Sequence, residues 1–142
     1  MGLFLKQYYR GDAVAVNDIG AINFLGEVDC LDVLGMSNIK MAEKFFHRTY
    51  SRQQMYDAAK DRNVKVAILF EHWFAWYGGP PSQWIKVAQW TIKNNIVCGG
   101  DSVSFYAVEQ SEAHRLVGHL RAFSTSLPKN VGVVETVHWS SP

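Results

Sequence analysis

The run Val64-Lys-Val-Ala-Ile-Leu-Phe70 constrains the fold more than any other stretch of the chain. Its nearly unbroken apolar and β-branched character suits a central strand buried on both faces, which in turn calls for helices on each side of a sheet. Upstream, Asp12–Val16 reads as a buried strand, and Val28–Val33 alternates well enough to make a second. Between them, Asn17 or Asp18 is placed to cap a short helix and Gly26 to end it. Together these make a compact, Rossmann-like βαβ start, with a connection near the lower limit of about a dozen residues for a crossover. From Ser37 to Arg62 the period is helical: Ile39, Ala42, Phe45, Phe46 and Tyr50 share one face. Ser51-Arg-Gln-Gln54 fits a capping box, opening a second helix that carries Met55, Ala58 and Ala59 inward.

Glu71 to Ser82 reads as a loop, because Gly78-Gly79-Pro80-Pro81 interrupts regular structure. Trp84–Ile92 and Ser102–Val108 form two strands, with Gly99-Gly100-Asp101 as a hairpin-type turn between them. Ser111 is placed to cap a helix whose inward residues are Ala113, Leu116, Val117, Leu120 and Phe123, ending before Pro128. Val131–Trp139 closes as a strand. The order β-α-β-α-α-β-β-β-α-β predicts a single α/β domain over residues 1–142, a three-layer αβα sandwich around a mixed sheet.

Composition removes several classes of function. Fourteen Lys and Arg against 13 Asp and Glu leave a net charge of +1, which is no nucleic-acid footprint. Two cysteines cannot build a disulfide scaffold; Cys30 and Cys98 read either as one bridge or, preferably, as two buried thiols. No apolar run approaches the roughly 18 residues of a membrane span, and Lys6 and Arg10 spoil Met1–Arg10 as a signal peptide. The expectation is a soluble domain.

Few residues point to chemistry. Asp18 and Gly20 follow a strand and open a helix, as in turns that set backbone amides against a ligand. A dinucleotide fingerprint needs three spaced glycines and this turn has one, so helix capping by Asp18 and packing of Gly20 on the sheet is the favoured reading. In the competing reading the turn binds a nucleotide or S-adenosylmethionine, with Asp32 as the ribose partner. His47, His72, His114, His119 and His138 make no metal-binding spacing, since His114 and His119 are five apart and leave a common helical face. Asp29, Asp32, Asp57 and Glu71 could supply an acid–base pair only if the fold brought two together. The aromatic group Trp73, Phe74, Trp76, Tyr77, Trp84 and Trp90 is dense enough to serve either as cover for the sheet or as a contact surface for a glycan, lipid headgroups or a protein partner.

Val14-Ala-Val-Asn-Asp-Ile-Gly-Ala-Ile22 followed by Cys30-Leu-Asp-Val-Leu-Gly35 resembles the soluble extracytoplasmic portion of bacterial multi-spanning, C-type glycosyltransferases that use polyprenyl-phosphate sugars. Val66–Phe70, Trp73, Pro81, Trp84, Trp90 and Val103–Tyr106 continue the likeness, which spans roughly Asp12 to Val108. In that class the catalytic acid lies between early membrane helices, and no such helices lie in this sequence. The resemblance therefore implies a non-catalytic domain at the extracytoplasmic, periplasmic side of the membrane, without a cofactor or metal of its own. Its partner would be the membrane-embedded part of the transferase, and its role would be to help hold a lipid-linked donor or a glycan acceptor. Asp18 and Gly20 would then be a structural turn, and the loop from Trp73 to Trp84, with Trp76 and Tyr77, the surface facing membrane or acceptor. The alternative is a free-standing, cytoplasmic nucleotide- or S-adenosylmethionine-binding protein; a third reading is a protein-interaction module using the tryptophan loop.

Overall fold

Every residue of Val66–Leu69 is buried, and alternate side chains go to opposite faces of the sheet. Val66 and Ile68 join one apolar cluster, Ala67 and Leu69 another. The same division runs along Ala13–Val16, with Val14 and Val16 on the first side and Ala15 on the second. This two-sided burial is the physical reason for the continuous apolar run.

The computed structural model describes residues 1–137. In chain order the elements are α1 (Gly2–Tyr8), β1 (Ala13–Val16), α2 (Gly20–Gly26), β2 (Asp29–Asp32), α3 (Ile39–Phe46), α4 (Arg52–Asp61) and β3 (Val66–Leu69). A 3-10 helix, Glu71–Tyr77, leads to β4 (Ile85–Ile92), β5 (Ser102–Ala107), α5 (Gln110–Phe123), a 3-10 turn at Ser124–Ser126, and β6 (Val131–Glu135). The six strands form one mixed sheet in the order β2-β1-β3-β5-β4-β6. β1 pairs parallel with β2 and β3, while β3–β5, β5–β4 and β4–β6 are antiparallel. This is an α/β fold, as the element order predicts, and the short α2 connection suffices for the parallel crossover. The register shift between Lys86 and Ala88 puts neighbouring Val87 and Ala88 in the same cluster.

One cluster gathers buried residues of α1, α2 and α5, the other residues of α3, α4 and the 3-10 helix. Helix α1 is absent from the sequence reading. It is two turns long with no capping side chain, so local signals are weak and packing decides. Its Phe4 ring lies 5.5–5.7 Å from those of Trp90, Phe105 and Phe123.

The capping box at Ser51 forms as predicted, with Gln54 as its partner. All five predicted inward residues of α5 are buried, although its N-cap is Glu109, with no side-chain bond, and Ser111 lies inside the helix. The predicted face holds in part: Tyr50, beyond the end of α3, is buried and Phe45 packs on the second cluster, but Ile39 and Phe46 face outward and the buried residue of the helix itself is Met41. Glu71–Tyr77, predicted as loop, winds as a 3-10 helix before Gly78 and Gly79 turn the chain. The far end of the predicted last strand, Trp139, and also His138 lie outside the described residues. No helix among the described residues is long and apolar enough to cross a membrane.

Candidate functional site

In open α/β sheets ligands favour the carboxyl ends of parallel strands, where neighbouring connections diverge. Here that point lies between β1 and β3, because the chain leaves β1 toward β2 and leaves β3 toward β4 and β5. The crevice is closed from within. The Asn17 amide donates to the Phe70 carbonyl and accepts from the Phe70 N–H, both at 3.0 Å, as an added rung of the β1–β3 ladder. Asn17 is fully buried and caps nothing; the N-cap of α2 is Ile19, with no side-chain bond. Asp18 therefore does not cap the helix, and Gly20 is exposed at its start instead of packed on the sheet.

Asp32 is buried at the end of β2, where its carboxylate accepts from the N–H groups of Leu34, Gly35 and Ser37 and from the Ser37 hydroxyl. Those bonds organise a turn that only glycine can complete: Gly35 has φ +92°, and a Cβ there would meet the Ala42 nitrogen at 2.3 Å. The Asp32 carboxylate is thereby engaged by the turn that follows its own strand. A shallow depression beside Asp32 includes Cys30 and Arg62. Arg62 is already paired with Asp29 and with the Cys30 carbonyl, and burial, followed by the charge of Asp29, pushes the Cys30 thiol up to about 11. Cys30 and Cys98 are free thiols; Cys30 is half-buried and Cys98 exposed, so neither is the fully buried thiol of the sequence reading.

The aromatic group separates into two roles. Trp84 is buried against Tyr106, and its indole N–H has no partner. Trp73 stacks on Phe70 at 5.7 Å and donates its N–H to the Gly99 carbonyl. Gly99 must be small, since a Cβ would lie 2.4 Å from the Trp73 ring. These two tryptophans are cover. Trp76 and Tyr77 instead line a cleft of about 640 Å³ with Phe45, Tyr50, Arg48, Ser51, Arg52 and Gln53.

This cleft lies where the end of α3, the start of α4 and the 3-10 helix after β3 converge. Phe45 and Tyr77 approach to 4.6 Å between ring centroids, and the Tyr77 hydroxyl donates to the Phe45 carbonyl at 3.0 Å. The Tyr50 hydroxyl is buried without a partner; burial, then the nearby charge of Asp32, raises its pKa. Arg52 donates from Nε to the Gly79 carbonyl at 3.3 Å, which orients its guanidinium. Arg48 has φ +55°, the left-handed position after a helix end where glycine is the usual residue. The described lining includes no carboxylate, imidazole or thiol. Two guanidiniums beside aromatic faces can bind an anion and stack a ring, and the hydroxyls in the lining are those of Tyr50, Ser51 and Tyr77.

The acidic residues singled out from the sequence have other partners. Asp57 accepts from Gln53, and Glu71 meets Lys86 at 2.7 Å together with the Tyr106 hydroxyl. Burial alone would raise the Glu71 pKa, but hydrogen bonds from Lys86, Tyr106 and Ser104 outweigh it and hold the carboxyl below its ordinary range. Among the described residues no three His, Cys, Asp or Glu side chains gather in a way that could hold a metal ion. Arg48 and Arg52 form no motif of their own. Arg48 stands three residues before the Ser51 capping box and Arg52 within it, and that box fixes where the second of the two helices begins.

Residues 1–106 match the family described as domain of unknown function DUF8728. The chain belongs to that family. The matched span takes in every residue of the cleft and ends within β5, before α5 and β6. No curated protein and no solved structure matches the chain.

Proposed function

We propose that this chain is a non-catalytic recognition domain of a membrane glycosyltransferase, and that its cleft holds the phosphorylated head of a lipid-linked sugar donor. The observation that carries the reading is the juxtaposition of Arg48 and Arg52 with Phe45, Trp76 and Tyr77 around one opening. Guanidinium groups match phosphate oxygens in a planar fork, and aromatic faces suit the apolar C–H side of a pyranose ring. The volume falls within the roughly 300–1,000 Å³ usual for small-ligand sites. A lining of guanidiniums, aromatic faces and hydroxyls suits a holding role, with the chemistry performed by the membrane-embedded partner. The resemblance of the Val14–Ile22 and Cys30–Gly35 segments supplies the enzyme class, and with it the extracytoplasmic location. A neutral acceptor glycan in place of the donor would use the aromatic faces but offer the guanidiniums only uncharged hydroxyl oxygens.

Titration calorimetry with a short-chain prenyl phosphomannose, with mannose, and with inorganic phosphate tests the reading. The phosphorylated sugar lipid should bind in the micromolar to millimolar range, with free mannose silent. Arg52→Ala and Trp76→Ala should each weaken it by roughly tenfold, the loss of about one charge-assisted or stacking contact. Saturable binding of ATP or S-adenosylmethionine, with no response to the sugar lipid, would favour the free-standing alternative instead.

A further inference from the structure

The sheet has two outer edges, β2 and β6, and they are finished differently. Asp29 and Val33 direct their N–H groups to β1, so Cys30 faces outward from β2. There the Arg62 guanidinium bonds the Cys30 carbonyl and pairs with Asp29. Charge and an occupied carbonyl blunt an edge against further strands. β6 has no such guard. The Lys93 N–H donates to the Asn130 carbonyl and the Thr136 N–H to the Val87 carbonyl. Even-numbered residues of β6 therefore bond to β4, and Val133 turns its N–H and carbonyl outward. Among the described residues neither group has a hydrogen-bond partner. Val131–Glu135 contains no lysine or proline, and its register with β4 is unbroken. Val133 and Val134 are 40% and 60% exposed. The strand's one charged side chain, Glu135, is paired with Arg121 at 2.7 Å.

We infer that two copies of this chain pair β6 with β6, antiparallel, about a two-fold axis through Val133. The outward backbone groups call for an extended strand as occupant, and the molecule's other edge is a poor source of one, since Arg62 stands on it. β6 is its own complement. In the register that overlaps all five residues, Val133 meets Val133, and Val134 of each copy lies across from Gly132 of the other. A side chain at 132 would fit within a single copy, its nearest neighbour being the Thr91 carbonyl at 3.8 Å. Glycine there leaves open backbone for the second copy to approach. The two Glu135 carboxylates fall at opposite ends of the pair, roughly 13 Å apart along the strand, so no like charges meet. The contact closes on itself and leaves only the guarded β2 edges outermost. β6 lends no residue to the cleft, so the inference goes beyond what the cleft holds.

Sedimentation equilibrium of the 142-residue chain without ligand, over a concentration series, is the test. The mass should rise from one copy toward two. Val133→Lys and Val133→Glu each set like charges together across the axis and should weaken the dimer by about tenfold. Mixed in equal amounts, the two variants should pair again, a recovery that misfolded chains would not show. Circular dichroism should report both variants folded, as residue 133 is already part-exposed. A single-copy mass at every concentration overturns the inference and leaves the edge to a strand from another protein. So does a dimer that both variants retain, or one that both lose and their mixture does not restore. None of these results alters the calorimetric test of the cleft.

Discussion

Helices α5 and α3 both carry a strong apolar pattern, yet one hides all of it and the other only part. In α5 Ala113, Leu116, Val117, Leu120 and Phe123 are all buried against β4 and β5. In α3 the core takes Met41, while Ile39 and Phe46 stand in the open. A stripe that vanishes into a core is explained by folding alone. One that remains exposed on an otherwise anchored helix is left unexplained by core packing.

The sharpest way to break that contrast is a pair of substitutions. Leu116→Ala should cost about 2–5 kcal/mol in urea unfolding, the usual penalty for truncating a fully buried leucine. Ile39→Ser should change stability by no more than about 0.5 kcal/mol; a loss matching that of Leu116→Ala would mean that α3 is held by its exposed side. Next in size is Asn17→Ala. It leaves the buried Phe70 N–H and carbonyl without their partners, and should cost about 2–3 kcal/mol by the same measurement. Arg48→Gly runs the other way. Relief of the left-handed arginine should raise stability by about 1 kcal/mol while weakening the calorimetric response to the sugar lipid, a separation that a merely structural arginine would not show.

The smallest effect is on pH dependence. Glu71 is held below its ordinary carboxylate range, so the unfolded chain binds its proton first as pH falls. Its contribution is complete above the unfolded carboxylate value and disappears as pH drops through the folded one. His119, lowered by burial and then by Arg115, acts with the same sign from its ordinary 6.5 downward. Melting temperature should therefore decline on acidification, and Glu71→Gln should flatten the acidic limb only. An unchanged slope in that variant would remove Glu71 from the balance.

What the sequence reveals follows from how local each determinant is. Val64–Phe70, the Ser51–Gln54 box and the α5 stripe carry their information within a few residues, and each lies where it is read. Asn17 resembles a cap by local rules, but its partner is Phe70, far along the chain, and two buried bonds there outweigh one exposed amide. Helix α1 owes its form to rings from β4, β5 and α5. Periodicity marks Ile39 and Phe46 as apolar without saying which side of α3 the sheet would take. Of the tryptophan loop, Trp76 and Tyr77 reach the cleft, while Trp73 and Trp84 are consumed in packing. The arginines beside them become a site only once α3, α4 and the 3-10 helix converge.

Amide and indole NMR shifts, followed while a short-chain prenyl phosphomannose is titrated into the labelled chain, probe the cleft against the Asp18–Gly20 turn in one experiment. The account predicts movement concentrated at Arg48, Ser51, Arg52, Trp76 and Tyr77, with Asp18 and Gly20 still. Movement centred on Asp18 and Gly20, or none at saturating ligand, would contradict it.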